Sequence, residues 1–239
     1  MMNVLFLGNR ESPVLDWLRT QHTNCRDTTG PITEADCAWA SHLVSHGYRH
    51  IVRPAVLRLF PRRAVNIHIS YLPWNRGADP NFWSWLNDTP KGATIHLLDE
   101  GVDTGPIIAQ RAIVMDADVE TLCTSYVKLQ SLALALFVDV WPCIADGTFY
   151  ATPQTGPATS HRMADMSAFV SMLWREWDTP CSVLSDYAAD VQMSAAARDM
   201  ELEDIIANAP VSGPEGVRST GLVGNSGGDD NGQALQRSD

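Results

Sequence analysis

Apolar and polar positions follow two rhythms along the first 147 residues. Asn3 to Gly8 (NVLFLG) is a continuous apolar run closed by glycine, the pattern of a buried parallel strand opening onto a turn. Asn9 to Pro13 lead into VLDWLRT, where Val14, Leu15, Trp17 and Leu18 recur at helical spacing, so the first unit reads strand, tight turn, helix. Thr33 suits an N-cap with Asp36 following, and SHLVS suits the next short strand. Pro54 opens a predicted helix over AVLRLF, and AVNIHIS then alternates as a strand. ATIHLL and GPIIAQRAIVM are two further strands on either side of the loop DEGVDTG. From Val119 to Cys143 the apolar period is that of one core helix, expected to stop near Pro142 because proline lacks the N–H that continues a helix. Strands alternating with helices predict an α/β fold.

The rhythm changes after about residue 148. TFYATPQTGPATSHRM is turn-rich, and WREWD with SDYAADVQMSAAARDMELEDIIANA predicts a short strand or loop followed by one or two peripheral helices. The last stretch, PVSGPEGVRSTGLVGNSGGDDNGQALQRSD, has too few apolar residues to offset the entropy of ordering. The expected division is a core over 1–147, a small C-terminal α+β subdomain over 148–207, and a flexible tail over 208–239. Phe149, Tyr150 and Trp174 suit either a surface between two copies of the subdomain or internal packing.

Composition narrows the function. With 239 residues, 45% of them hydrophobic, the chain can bury a substantial core. Its net charge of -11 argues against a broad nucleic-acid-binding surface. The five cysteines are widely spaced with no C-x-x-C pair, so neither a disulfide framework nor a zinc cage is indicated. The start, MMNVLFLGNRESP, has no basic stretch ahead of its apolar run, and no uninterrupted apolar span of about 18 residues occurs. The expectation is a cytoplasmic protein without membrane contact.

The chemistry is carried by NIHISYLPWNRG, residues 66–77. On a strand, residues two apart share a face, so Asn66 and His68 project side by side while Ile67 and Ile69 turn to the core. Pro73 ends the strand, and Arg76–Gly77 makes a turn. In open α/β sheets ligands collect at the carboxyl ends of the strands. Asp103, followed by Thr104 and Gly105, sits in the turn between two later strands, where its carboxylate can return over the sheet edge. A buried structural histidine is the commoner fate of such a residue; the second segment is what favours chemistry here.

Taken together, N-x-H-x-S-x-L-P with R-G, then G-x-T-x-H leading to D-E-G-x-D-T-G, resembles the folate-dependent formyltransferase family. The matching residues are Asn66, His68, Ser70, Leu72, Pro73, Arg76, Gly77, Gly92, Thr94, His96, Asp99, Glu100, Gly101, Asp103, Thr104 and Gly105. The resemblance implies a Rossmann-like core with a mainly parallel sheet flanked by helices, and N10-formyltetrahydrofolate as co-substrate. It implies a catalytic trio: Asn66 and His68 donating to the oxyanion of the tetrahedral intermediate, Asp103 favouring protonated His68 and relaying the amine proton to water. It places the pterin against the loop of Leu97, Leu98, Asp99, Glu100 and Val102.

Within the family, LGNRESP, SHGYRHI, NIHISYLPWNRGADPNFWS and TPKG resemble the sugar N-formyltransferases, with His46 where Tyr is more usual. That resemblance implies a nucleotide-linked amino-deoxy sugar as partner, a dTDP-4-amino-4,6-dideoxy sugar first, and a homodimer. Asn9, Arg10 and Arg76 are candidates for the pyrophosphate, Trp74 and Asn81 for the sugar, and Trp83 and Trp85 for core packing as much as for substrate. Glycinamide ribonucleotide formyltransferases differ in their Gly/Ser-rich opening loop, and methionyl-tRNA formyltransferases in a further β-barrel domain. The same trio handing formyl to water would make a deformylase. A metal hydrolase using His68, His96 and Asp103 lacks any close ligand pair, and a folate carrier is the non-catalytic alternative.

Overall fold

Six strands form one sheet in the order β2-β1-β3-β4-β6-β7 in the computed structural model, which describes residues 2–21 and 23–190. β1 (Met2–Gly8), β2 (Thr23–Thr28), β3 (His42–His46) and β4 (Ala64–His68) are parallel; β6 (Gly92–Leu97) and β7 (Ile107–Ala112) are antiparallel to their neighbours. The sheet is thus mixed, parallel at one end and turned back at the other. β5 (Arg76–Gly77) pairs separately with β8 (Ser160–His161).

Each face of the sheet has its own apolar layer. α1 (Pro13–Thr20) and α5 (Leu122–Asp146) cover one, burying Val14, Leu15, Leu18, Phe137 and Ile144 against Val4, Phe6, Val65 and Ile67. Each fully buried side chain of that size stabilises by about 1.5–3 kcal/mol. Trp17 meets Phe137 and Trp141 edge to face there, with ring centroids 5.8 and 6.4 Å apart. The short turns α2 (Glu34–Cys37) and α3 (Pro54–Leu57) cover the other face, over Leu5, Leu7 and Leu43. A third cluster joins α4 (Pro80–Leu86), the start of α5 and α6 (Cys181–Asp190) through Phe82, Trp83, Trp85, Leu122 and Leu184. Trp83 and Trp85 are therefore core residues.

Four expectations change. Residues 23–28 form a strand although TNCRDT carries no apolar alternation, because an edge strand needs only one face packed and only Cys25 supplies it. The helix at Pro54 is a single turn. α5 runs through Pro142 to Asp146: buried Ile144 holds the last turn in place, and the end is set by Gly147, whose φ of 72° lets its N–H reach Ile144 O. Phe149 is buried under the Arg62 guanidinium, whereas Tyr150 and Trp174 are exposed. By length and composition α5 would also cross a membrane, yet its Ala133, Leu136, Phe137 and Val140 are packed into the core. The peripheral helix predicted beyond α6 and the tail over 208–239 lie outside the described residues.

Candidate active site

β4 splits its residues between the two faces: Val65 and Ile67 enter the core beneath α5, and Asn66 and His68 point the other way. β6 runs antiparallel beside it, which sets His96 directly across from Asn66. Beyond β6 the chain folds into a tight loop organised by Asp99, whose Oδ1 accepts from Gly101 N–H at 3.1 Å and Thr104 Oγ1 at 2.7 Å. Gly105 is required here because a Cβ would lie 1.8 Å from Leu97 O. The loop brings Asp103, at φ 53°, back over β4.

Three side chains meet at that carboxylate. Asn66 Nδ2 donates to Asp103 Oδ1 at 3.0 Å and lies 3.1 Å from His96 Nε2. His68 Nδ1 stands 3.6 Å from Asp103 Oδ2, and His96 Nε2 stands 3.4 Å from Oδ1. Gly77 N–H donates to Oδ2 at 2.8 Å. The far nitrogens are also engaged: His68 Nε2 donates to Asn75 O at 2.9 Å, and His96 Nδ1 to Leu97 O at 2.8 Å. His68 donates to a carbonyl on one side and, when it carries both protons, stands at ion-pair distance from a carboxylate on the other.

Burial pushes the Asp103 carboxyl up. The neighbouring His68, the contacts with His96 and the Gly77 N–H together outweigh that and hold it well below the usual carboxylate range. At the ends of β1 and β3, buried His46 takes a 2.8 Å hydrogen bond with Ser12 Oγ. Burial first, and then the charge of His68, push His46 down to about 4. The SYLP turn is pinned from below: Thr94 Oγ1 donates to Ser70 O and accepts from Leu72 N–H, and Gln110 Nε2 donates to Leu72 O.

The structure gathers Asn66, His68 and Asp103 and scatters some of the other candidates. Of the loop residues, Leu97 and Leu98 pack against the two core layers, Asp99 holds the turn, and Glu100 and Val102 are exposed. Asn9 uses Oδ1 to cap Glu11 N–H, and exposed Arg10 pairs with Asp27 at 2.9 Å. Trp74 is buried. Arg76 gives Nε and Nη2 to Gln154 Oε1 at 3.1 and 2.7 Å, so its guanidinium is tied to the protein. Asn81 does not open onto the site: its Nδ2 donates to Leu122 O and its Oδ1 accepts from Ser125 Oγ, binding α4 to α5. Among the described residues no group of three His, Cys, Asp or Glu is arranged to hold a metal ion.

Sequence reasoning gave His96 only as a motif residue and a candidate metal ligand, and passed over Asn75, Gln154 and Thr159. His96 was visible as the last residue of G-x-T-x-H, two positions from Thr94 on an alternating strand. Asn75, Gln154 and Thr159 give no such signal, because they act through hydrogen bonds to distant backbone.

The matched family model, described as formyl transferase, covers residues 32–141. The structure of the formyltransferase PseJ from Anoxybacillus kamchatkensis, in complex with UDP-4,6-dideoxy-4-formamido-L-AltNAc and tetrahydrofolate, is 37% identical and superposes with a TM-score of 0.74. The match covers 78% of this chain and 99% of that one. The chain belongs to the folate-dependent formyltransferase family. Inside the family it lies close to the sugar N-formyltransferases. An N-formyltransferase from Helicobacter canadensis, in complex with folinic acid and dTDP-3-aminofucose, shares the fold at 20% identity and a TM-score of 0.60, over 69% of this chain and 72% of that one. The methionyl-tRNA formyltransferase from Clostridium thermocellum shares it at 16% and 0.52, over 68% and 72%.

Proposed function

We propose that this protein transfers the formyl group of N10-formyltetrahydrofolate to the amine of a nucleotide-linked 4-amino-4,6-dideoxy sugar. The observation that carries this reading is the convergence of Asn66 and His68 on Asp103, at 3.0 and 3.6 Å, at the end of β4 in a chain of this family. The sugar amine attacks the formyl carbon, the new C–N bond forms, the bond from carbon to N10 breaks, and the amine proton ends on N10 of the released tetrahydrofolate. Two charges develop on the way, an oxyanion and an ammonium.

Asn66 and His68 serve the oxyanion. Both Asn66 N–H groups have internal acceptors, Asp103 Oδ1 and His96 Nε2, and His68 Nε2 is held by Asn75 O, so the formyl oxygen takes the place of one acceptor of Asn66 and of the 3.6 Å Asp103 contact at His68 Nδ1. Asp103 stays ionised throughout the neutral range, which suits it to stabilise the developing ammonium and to accept a hydrogen bond from the water that carries the amine proton away. The folate fits the loop after β6: among the described residues the Glu100 and Val102 N–H groups make no internal hydrogen bond, so its edge offers donors to a flat ring bearing acceptors. Leu97 and Leu98 anchor that edge from beneath.

The carrier nucleotide is a choice between the expected dTDP and the UDP named for the 37% identical structure. Incubation with N10-formyltetrahydrofolate and, in turn, UDP- and dTDP-linked 4-amino-4,6-dideoxy sugars, glycinamide ribonucleotide, methionyl-tRNA and water alone tests the reading. Formylated nucleotide sugar supports it. Tetrahydrofolate released equally without any amine identifies a deformylase instead, and formylation of either other amine moves the acceptor.

A further inference from the structure

One short segment after α5 reaches both halves of the catalytic arrangement. Thr159 Oγ1 accepts from Asn75 N–H at 2.7 Å and donates to Asn75 Oδ1 at 3.2 Å. Asn75 Nδ2 in turn donates to Thr89 Oγ1 at 2.7 Å, and Asn75 O accepts from His68 Nε2 at 2.9 Å. Asn75 is wholly buried at φ 55°, a left-handed conformation that asparagine tolerates better than most residues, and all its polar groups are committed. The residue whose carbonyl orients His68 is therefore held at its N–H and side chain by the Thr159 hydroxyl, and its following peptide by Arg76 N–H on Thr159 O at 3.0 Å.

Five residues earlier the same segment grips the other side. Gln154 Nε2 donates to the carbonyls of Asp103 and Gly105 at 2.8 and 2.9 Å, while its Oε1 accepts from Arg76. Next along, β8 lies against β5 so closely that a Cβ on Gly77, at φ 90°, would meet His161 O at 2.2 Å. Gly77 is the residue whose N–H reaches Asp103 Oδ2. His68 is thus fixed through Thr159, and Asp103 through Gln154 and β8.

We propose that Thr159 and Gln154 are positioning residues for formyl transfer: they set the ring of His68 and the carboxylate of Asp103 without touching either reactant. This rests on the function proposed above. Transfer depends on group placement within about 1 Å, and a shift of that size costs up to about 10²-fold. The Thr159→Val side chain keeps the shape and loses the hydroxyl. It lowers kcat about 10- to 100-fold with KM for both substrates within about twofold of wild type, and Thr159→Ser restores kcat. The Gln154→Met variant, altered in a half-buried residue, reads the same proposal from the Asp103 side.

The independent readout is the ¹⁵N spectrum of histidine-labelled protein, which needs no substrate. Loss or displacement of the His68 Nε2–H signal in Thr159→Val, restored in Thr159→Ser, supports positioning. Wild-type kcat with an unchanged His68 signal overturns it, as does lowered stability with that signal unmoved. If Thr159→Val does not fold, Gln154→Met decides: wild-type kcat, or a loss confined to KM, overturns the proposal, and a kcat loss at constant KM upholds it. If the wild-type protein transfers no formyl group, the proposed function has failed and the His68 signal alone settles the positioning.

Discussion

β4 and the segment from Gln154 to His161 hold the side chains of one cluster by opposite means, Asn66 and His68 from the strand, His68 and Asp103 from the later segment. β4 does it by periodicity: two polar positions on one face of an otherwise apolar strand, with Ile67 between them in the core. The later segment has almost no regular structure and does it by individual hydrogen bonds between Thr159 or Gln154 and backbone 49 to 84 residues away. The lesson is that the proposed catalytic groups are specified locally, and their mutual orientation is specified from a distance.

The largest effect that separates the two regions is chemical. Asn66→Ala or His68→Ala removes a donor to the oxyanion and is expected to lower kcat about 10²-fold or more with the fold intact, as read by steady-state kinetics beside a circular dichroism melt. Near-normal kcat in both variants would leave β4 as scaffold and nothing more.

Second comes the acid response, where the two buried groups of the site act in different pH windows. His46 titrates at about 4 in the fold against 6.5 ordinarily, so the unfolded chain binds a proton that the fold refuses as pH falls between those values. Stability is therefore lost over that window, by on the order of 3 kcal/mol from this group alone. Asp103, depressed in the fold, contributes stability that is full above its unfolded value and is lost only below about pH 3.9. Urea unfolding of His46→Leu across pH 4 to 7 should show a flatter slope than wild type; the same slope would move the acid sensitivity elsewhere.

Smaller, and read in stability, is Gly77→Ala, which places a methyl against His161 O. It is expected to cost about 1–3 kcal/mol in urea unfolding and to weaken the grip of β8. Smallest is Asn81→Ala, expected to cost about 1 kcal/mol of stability by removing its hydrogen bonds with Leu122 O and Ser125 Oγ, which keep one another and Trp85 as partners, with KM for the sugar nucleotide unchanged. A raised KM would return Asn81 to the substrate.

The contrast explains what could be read from the residues. The strands β1, β3, β4, β6 and β7 were legible because each buries at least one face, which leaves an apolar run or an alternation in the sequence. β2 was not, because this polar edge strand is held mainly by its backbone ladder and packs only Cys25 on the core, which leaves no apolar run or alternation. Asn66, His68 and Asp103 were legible as residue types in recognisable spacings. Arg76 was read as a free cation because its partner, Gln154, lies seventy-eight positions away in a turn-rich stretch. Asn81 was read as a sugar contact because nothing near it in sequence announces Leu122 and Ser125 as its partners.

The central claim is direct transfer of one carbon between two small molecules at the Asn66–His68–Asp103 cluster. It is tested most directly with N10-[¹³C]formyltetrahydrofolate and a UDP- or dTDP-linked 4-amino-4,6-dideoxy sugar, following the label by NMR. The account predicts a sugar formamide carrying the label in step with tetrahydrofolate release, and its loss in Asn66→Ala. Label appearing as free formate at the same rate with or without the amino sugar would contradict it.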